Sequence, residues 1–227
     1  MSLKDAPKLE KENYSGKYEK RVKAKKKVGG VAASISQFID PSLCWKDLEW
    51  IKRECAPMKV VLKGIQCGED AVMAVEHGMD AIVLSNHGGR QLDYGRSGIE
   101  ILAEVMDHLD ANSMRGRIEV WVDGGFRRGT DIFKALALGA NCVGMGRPFL
   151  FGMACYGQDG VAKVIQIFKR EFEVCMQMMG CQSVRDIKRS MVICKNLGDH
   201  ITLVPENRNA YNVYTPLPRA VELNSKL

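Results

Sequence analysis

From residue 45 onward the apolar positions recur in two alternating rhythms. Trp45 to Glu54 carries Trp45, Leu48 and Ile51 at helical spacing with charges between them. Pro41 and Ser42 precede this stretch and Pro57 follows it, so it predicts a helix. Met58 to Lys63 is short and β-branched and predicts a strand. Glu69 to His77 predicts a helix stopped by Gly78, and Ala81 to Ser85 is a continuous apolar run of the kind found in strands buried on both faces. Ile99 to Leu109 predicts a helix with a stripe at Ile99, Leu102, Val105, Met106 and Leu109. A strand over Ile118–Asp123, a helix over Thr130–Leu138, a strand over Asn141–Gly146 and a long amphipathic helix over Gly160–Met179 complete the series. Residues 204–227, rich in Asn and Pro, predict an irregular tail.

Strand-then-helix units that follow one another every ~25–35 residues argue a parallel α/β architecture. The pattern leaves an open doubly wound sheet and a closed barrel equally available. Lys63, Ser85, Asp123 and Gly146 stand at predicted carboxyl ends of strands, and polar residues there mark the active face in either case.

Composition narrows the class. The 227 residues are 46% hydrophobic with 22 Gly, enough for one sizeable core or two small domains and too apolar for a disordered chain. No run reaches the ~20 apolar residues of a membrane span, and Met-Ser-Leu-Lys-Asp-Ala-Pro does not read as a secretory signal. The eight cysteines form no Cys-x-x-Cys pair. Several lie in apolar stretches, which predicts reduced core thiols and neither a disulfide framework nor a metal site.

The net charge of +6 is local. Residues 1–27 hold ten Lys/Arg and four Asp/Glu, and the remaining 200 residues hold 23 of each. The segment Lys17–Lys27 reads either as a nucleic-acid or anionic-membrane tail or as a solvated linker. Without interleaved aromatics or a recognition helix, the linker is the reading adopted, and nucleic acid is not expected as a partner.

Three blocks carry chemistry. In Leu84-Ser85-Asn86-His87-Gly88-Gly89-Arg90-Gln91-Leu92-Asp93 an imidazole and a guanidinium lie three residues apart on a glycine-rich loop. Such a histidine can take a substrate proton near neutral pH and such an arginine can hold a carboxylate bidentately. A structural histidine and a surface arginine fit the spacing equally well. Val122-Asp123-Gly124-Gly125-Phe126-Arg127-Arg128-Gly129-Thr130 opens a helix, and Gly144-Met145-Gly146-Arg147-Pro148 follows the last strand. Glycines, arginines and helix starts in the last two units together favour a phosphorylated cofactor, with ordinary turns as the alternative. His77, His108 and His200 are assigned no chemistry.

These blocks, with Lys63-Gly64, resemble the FMN-dependent 2-hydroxy-acid dehydrogenases and oxidases, in order and with similar spacing from about Phe38 to Met191. Within that family Phe38–Leu43, Ile99–Glu104, Cys155-Tyr156-Gly157 and the Tyr211–Pro218 stretch resemble fungal flavocytochrome b2. Phe126 departs from the pattern, where an aliphatic residue is usual. The resemblance implies a (β/α)8 TIM barrel of which only the last four βα units are present, a half-barrel. Residues 1–37 would form a basic segment, 38–203 the C-terminal half of the barrel and 204–227 an irregular tail.

By the same resemblance, FMN is the cofactor and L-lactate or another (S)-2-hydroxy acid the substrate, with a glycolate-type oxidase as an alternative. His87 would be the active-site base and Arg90 would bind the substrate carboxylate. Lys63 would sit by the N1/O2 edge of the flavin and stabilise negative charge on it, and Ser85 would contact the flavin or its ribityl chain. Asp123, Gly124, Gly125, Phe126 through its backbone, Arg127, Gly146 and Arg147 would hold the ribityl chain and phosphate. The family's first four strands, and the aspartate that orients the histidine, have no counterpart. The chain is therefore expected to be a fragment, with pairing to a chain carrying the first half, or self-association, as alternatives. A catalytically incomplete FMN-binding remnant is a further reading. Ser225-Lys226-Leu227 reads as a peroxisomal address, against the mitochondrial location of flavocytochrome b2.

Overall fold

The structure, a computed structural model, describes residues 42–195 and 197. The expectations for residues 1–37, for the tail and for the terminal tripeptide lie outside the described residues. The chain divides into two units, Met1–Val60 and Val61–Leu227.

The first unit contains helix α1 (Asp47–Cys55). Asp47 accepts the Cys44 amide at 2.8 Å, and acidic residues in the first turn and basic ones in the last complement the helix dipole. The helix ends before Ala56-Pro57, and the Met58 amide closes a turn onto the Cys55 carbonyl at 2.8 Å. That turn takes Met58 out of the strand expected to begin there.

The second unit is a four-stranded parallel sheet of order β1 (Val61–Ile65), β2 (Ala81–Leu84), β3 (Glu119–Asp123) and β4 (Cys142–Gly144). Helices α2 (Gly68–Glu76), α3 (Gly98–Ala111) and α4 (Gly129–Leu138) form the crossovers that parallel pairing requires, and α5 (Arg147–Met178) follows β4. Ile82, Leu84, Val120 and Val122 on the strands and Ile101, Leu102, Val105 and Leu109 on α3 are the fully buried core. Each side chain of this size contributes about 1.5–3 kcal/mol by leaving water. Phe133 of α4 and Phe172 of α5 extend the core, with ring centroids 6.5 Å apart.

Four details differ from the sequence expectation. The α3 stripe is Ile101, Leu102, Val105, Met106 and Leu109, with Ile99 only part-buried. The helix start is pressed onto the sheet at Gly98, where a Cβ would stand 2.5 Å from the Leu84 carbonyl oxygen. Second, the last helix begins at Arg147 rather than Gly160. Pro148 suits a helix's first turn, and a break at Tyr156 and Gly157 (φ 56°) separates the two stretches, so the pattern shows the second but hides the first. Third, β1 runs past Lys63 to Ile65. Its register against β2 slips by one residue at Gly64 (φ 103°), which forms a bulge. Fourth, the thiols are free, but only Cys181 is buried, and Cys44, Cys142 and Cys155 are exposed. Within the described residues no helix is long and apolar enough to cross a membrane.

Candidate functional site at the carboxyl ends of the strands

The carboxyl ends of the four parallel strands bring the three motif blocks and Lys63 together. Lys63 of β1 donates from Nζ to the Ser85 hydroxyl at 3.0 Å and stands 3.6 Å from Asp123 Oδ2, so one cation bridges β1, β2 and β3. Ser85, directly after β2, is fully buried and its hydroxyl also accepts the His87 amide at 3.1 Å. That bond sets His87 in the left-handed region (φ 57°), with its imidazole exposed. Holding a non-glycine residue there costs on the order of 1–3 kcal/mol and is a common feature of functional loops.

The loop continues through Gly88 and Gly89 to Arg90, also exposed. Arg147, at the start of α5, donates from Nη2 to the Gly88 carbonyl at 3.0 Å. A Cβ on Gly88 would stand 3.2 Å from Arg90 Nη1 and 3.3 Å from Arg147 Nη2, so two guanidinium groups converge on this glycine. Neither shows a carboxylate partner among the described residues. Cations so placed suit an anion.

In the β3 loop Asp123 ends the strand, Gly124 and Gly125 take φ 85° and 84°, and Phe126 turns back into the core at 5% exposure. Only the backbone of Phe126 therefore faces the site, which explains how an aromatic ring fits where the resemblance leads one to expect an aliphatic group. Asp123 Oδ1 is buried without a hydrogen-bond partner in the described residues. A buried carboxylate oxygen without a donor is costly and fits a hydroxyl-bearing ligand such as a ribityl chain. The space above Gly125 and Gly146 is open, with no heavy atom within 4 Å of where a Cβ would stand.

The two helix starts near the site are not equivalent. At α4 the amides of Arg127 and Arg128 each donate to Asp131 Oδ2 at 3.0 Å, and that of Gly129 donates to Glu171 at 2.8 Å. Hydrogen bonding by Gly129 holds the Glu171 carboxyl below its ordinary range, with Arg128 adding in the same direction. Carboxylates thus occupy the turn that the sequence offers to a phosphate. At α5, Gly146 and Arg147 begin a helix with no side-chain cap and no acidic residue in its first turn. Of the two, only the α5 start at Gly146–Arg147 is therefore left without a capping carboxylate among the described residues.

Three residues to which the motifs assign no role bond around the base of the loop after β2. Gln66 donates its amide to the Ser85 carbonyl at 2.7 Å. Asn86 accepts the Gly89 amide at 3.0 Å and donates to the Arg96 carbonyl at 3.2 Å, closing the base of the loop. Arg96 pairs with Glu104 of α3. The asparagine two residues ahead of Gly88-Gly89 is a readable turn signal, whereas Gln66 and Arg96 make contacts 19 and 8 residues away, which spacing does not show. His77 and His108 bond carbonyls one turn back on their own helices, from which the site draws nothing.

Comparison with known proteins identifies the family. The family described as FMN-dependent dehydrogenase matches residues 2–194. L-lactate dehydrogenase (cytochrome) of Saccharomyces cerevisiae is 45% identical over 185 residues, 82% of this chain and 31% of that protein. A peroxisomal (S)-2-hydroxyacid oxidase of Arabidopsis thaliana is 48% identical over 184 residues, 81% of this chain and 49% of that protein. Among solved structures, a flavocytochrome b2 variant with sulfite bound superposes with a TM-score of 0.71 at 45% identity, over 81% of this chain and 47% of that one. The chain thus spans from about a third to a half of the length of the relatives it matches. Its parallel α/β sheet is that of the TIM-barrel flavocytochrome b2 structures, and it belongs to the FMN-dependent dehydrogenase family, whose cofactor is FMN.

Proposed function

We propose that this chain provides the FMN-phosphate cradle and the substrate-facing loop of an (S)-2-hydroxy-acid oxidoreductase, acting on L-lactate or a similarly short acid. The observation that carries the reading is the convergence of Lys63, Ser85, His87, Arg90, Asp123 and Arg147 on one end of the sheet. FMN, when bound, supplies the two-electron acceptor. Arg90 holds the substrate carboxylate and so orients the α-carbon. His87 removes the proton from the 2-hydroxy acid, its main chain fixed by the Ser85 hydroxyl. Lys63 presents a fixed cation where negative charge accumulates, which is most effective when the charge is positioned in advance. With FMN bound, Asp123 Oδ1 would accept from a hydroxyl of its ribityl chain, and Arg127 and Arg147 would neutralise its phosphate.

The experiment is flavin content after purification with FMN, read by fluorescence on denaturation, followed by reduction with L-lactate. Near-stoichiometric FMN is expected. His87→Gln retains it and loses about 10²–10⁴-fold in turnover, the range for a positioned general base. A preparation without flavin overturns the reading for the isolated chain. Glycolate in place of L-lactate as the better substrate favours the glycolate-type alternative.

A second reading has its own support. The imidazole of His87 has no carboxylate partner among the described residues, and the chain spans at most 49% of the relatives above. A histidine without such a partner is poorly fixed in orientation and tautomer. On this reading residues 42–195 hold FMN but turn over only together with the remainder of a barrel. Bound FMN that L-lactate does not reduce is its signature. The peroxisomal name of the Arabidopsis relative supports a peroxisomal compartment, tested by imaging a fluorescent fusion that leaves Ser225–Leu227 at the end.

A further inference from the structure

A polar network built on Gln66, Asn86, Arg96 and Glu104, none of them assigned to substrate or cofactor, runs beneath the loop after β2. Arg96, where that loop returns to α3, makes a double contact with the Glu104 carboxylate and donates from Nη2 to the Gln66 carbonyl at 2.7 Å. Gln66 in turn donates to the Ser85 carbonyl, and Glu104 Oε1 accepts the Gly68 amide at 3.0 Å at the start of α2. The Arg96 carbonyl accepts from Asn86, whose side-chain oxygen holds the Gly89 amide. One guanidinium therefore joins the end of β1, the base of the β2 loop and helix α3. Hydrogen bonding to Arg96 holds the Glu104 carboxyl below its ordinary range, opposed by partial burial and helped by the Gly68 amide.

We propose that Arg96, clamped between Glu104 and the Gln66 carbonyl, is a positioning residue that fixes the loop bearing His87 and Arg90. The planar fork reaches two acceptors on two elements at once, which an ammonium group at the same place does not. Both ends of the loop are thereby pinned, at Ser85–Asn86 and at Arg96–Ser97, while its middle stays exposed. A loop held in this way keeps the imidazole and the carboxylate-binding fork in one mutual geometry, and small misplacements there lower turnover steeply. The inference rests on the roles proposed above only for what His87 and Arg90 do; the clamp itself is independent of them.

The test is amide hydrogen exchange on the full chain, wild type against Arg96→Ala, Arg96→Lys and Glu104→Gln, with melting temperatures measured alongside. The wild type is expected to protect the His87 and Gly89 amides. Arg96→Ala speeds their exchange by about tenfold, as loss of the bonds at the loop base implies. Arg96→Lys has an intermediate effect, and the amides of β2 and β3 stay unchanged. Unprotected wild-type amides, no change in the variants, or an equal change throughout β2, β3 and α3 each overturn the proposal. Where Arg96→Ala does not fold, Arg96→Lys and Glu104→Gln carry the same comparison. In a preparation that oxidises L-lactate, Arg96→Lys lowers kcat more than it raises KM at unchanged flavin content. Lower flavin content with unchanged kcat per bound flavin overturns the positioning role. A wild type that does not turn over counts against the proposed function and leaves the exchange result standing.

Discussion

The loops after β2 and β3 leave adjacent strands at the same end of the sheet, yet different forces hold them. The β2 loop buries nothing between Asn86 and Arg96 and is held by side chain-to-backbone hydrogen bonds at its base. The β3 loop has few such bonds. It is a short glycine turn nailed to the core by Phe126, and Asp131 takes the amides that follow. The difference matches what each displays. A loop that must present an imidazole and a guanidinium needs its backbone fixed without using up those side chains. A loop that presents backbone and one carboxylate can spend its large side chain on the core.

The contrast is most open to attack at Phe126. Phe126→Ala is expected to destabilise the second unit by about 3–5 kcal/mol through the cavity it leaves, and Phe126→Leu by less than about 1.5 kcal/mol. Thermal melts read both, and a Phe126→Ala protein that melts like the wild type would sink the idea that core burial holds this loop. Next comes Gly125→Ala. The space around Gly125 is open, so only its left-handed conformation is penalised, by about 1–2 kcal/mol. FMN retention should fall with stability if that backbone meets the cofactor.

Asn86→Ala sharpens the other side. Global stability should drop by about 1 kcal/mol or less, since the loop is exposed, while proteolysis between Gly88 and Tyr94 should accelerate clearly. Similar behaviour of Asn86→Ala and Phe126→Ala would erase the distinction between the loops. The smallest effect concerns pH. The folded Glu104 carboxyl is held below its ordinary range, so its contribution is present above the unfolded value and fades as pH falls through the folded one. Glu104→Gln should lower stability near neutrality and flatten the acid limb of the stability–pH curve, the two proteins converging at low pH.

Sequence reasoning reaches these two loops unequally. Alternating apolar runs locate every strand of the second unit to within a few residues, because a strand buried on both faces, such as Ala81–Leu84, has no polar positions to blur it. The motif residues are legible because they stand at strand ends, where polar groups beside glycines are out of place in a core. The first stretch of α5 is hidden because Leu150, Phe151 and Met153 are exposed, so its apolar residues trace no buried face. Gln66 and Arg96 are hidden for a different reason. Each bonds a backbone carbonyl, which every residue possesses, and only the tertiary approach of β1 to the loop base selects Ser85 and Gln66. The occupation of the α4 start by Glu171 likewise joins residues 42 apart in the chain.

The pinned base of the β2 loop also bears on how such a site can diversify. With both ends fixed at Asn86 and Arg96, the exposed residues Gln91 to Tyr94 close a short span whose endpoints no longer depend on what lies between them. Lengthening a closed loop adds only about 0.6 kcal/mol for each doubling. The tip can therefore accept insertions and new side chains while the imidazole and the guanidinium stay in register, so selection can reshape what approaches the site separately from the chemistry performed in it.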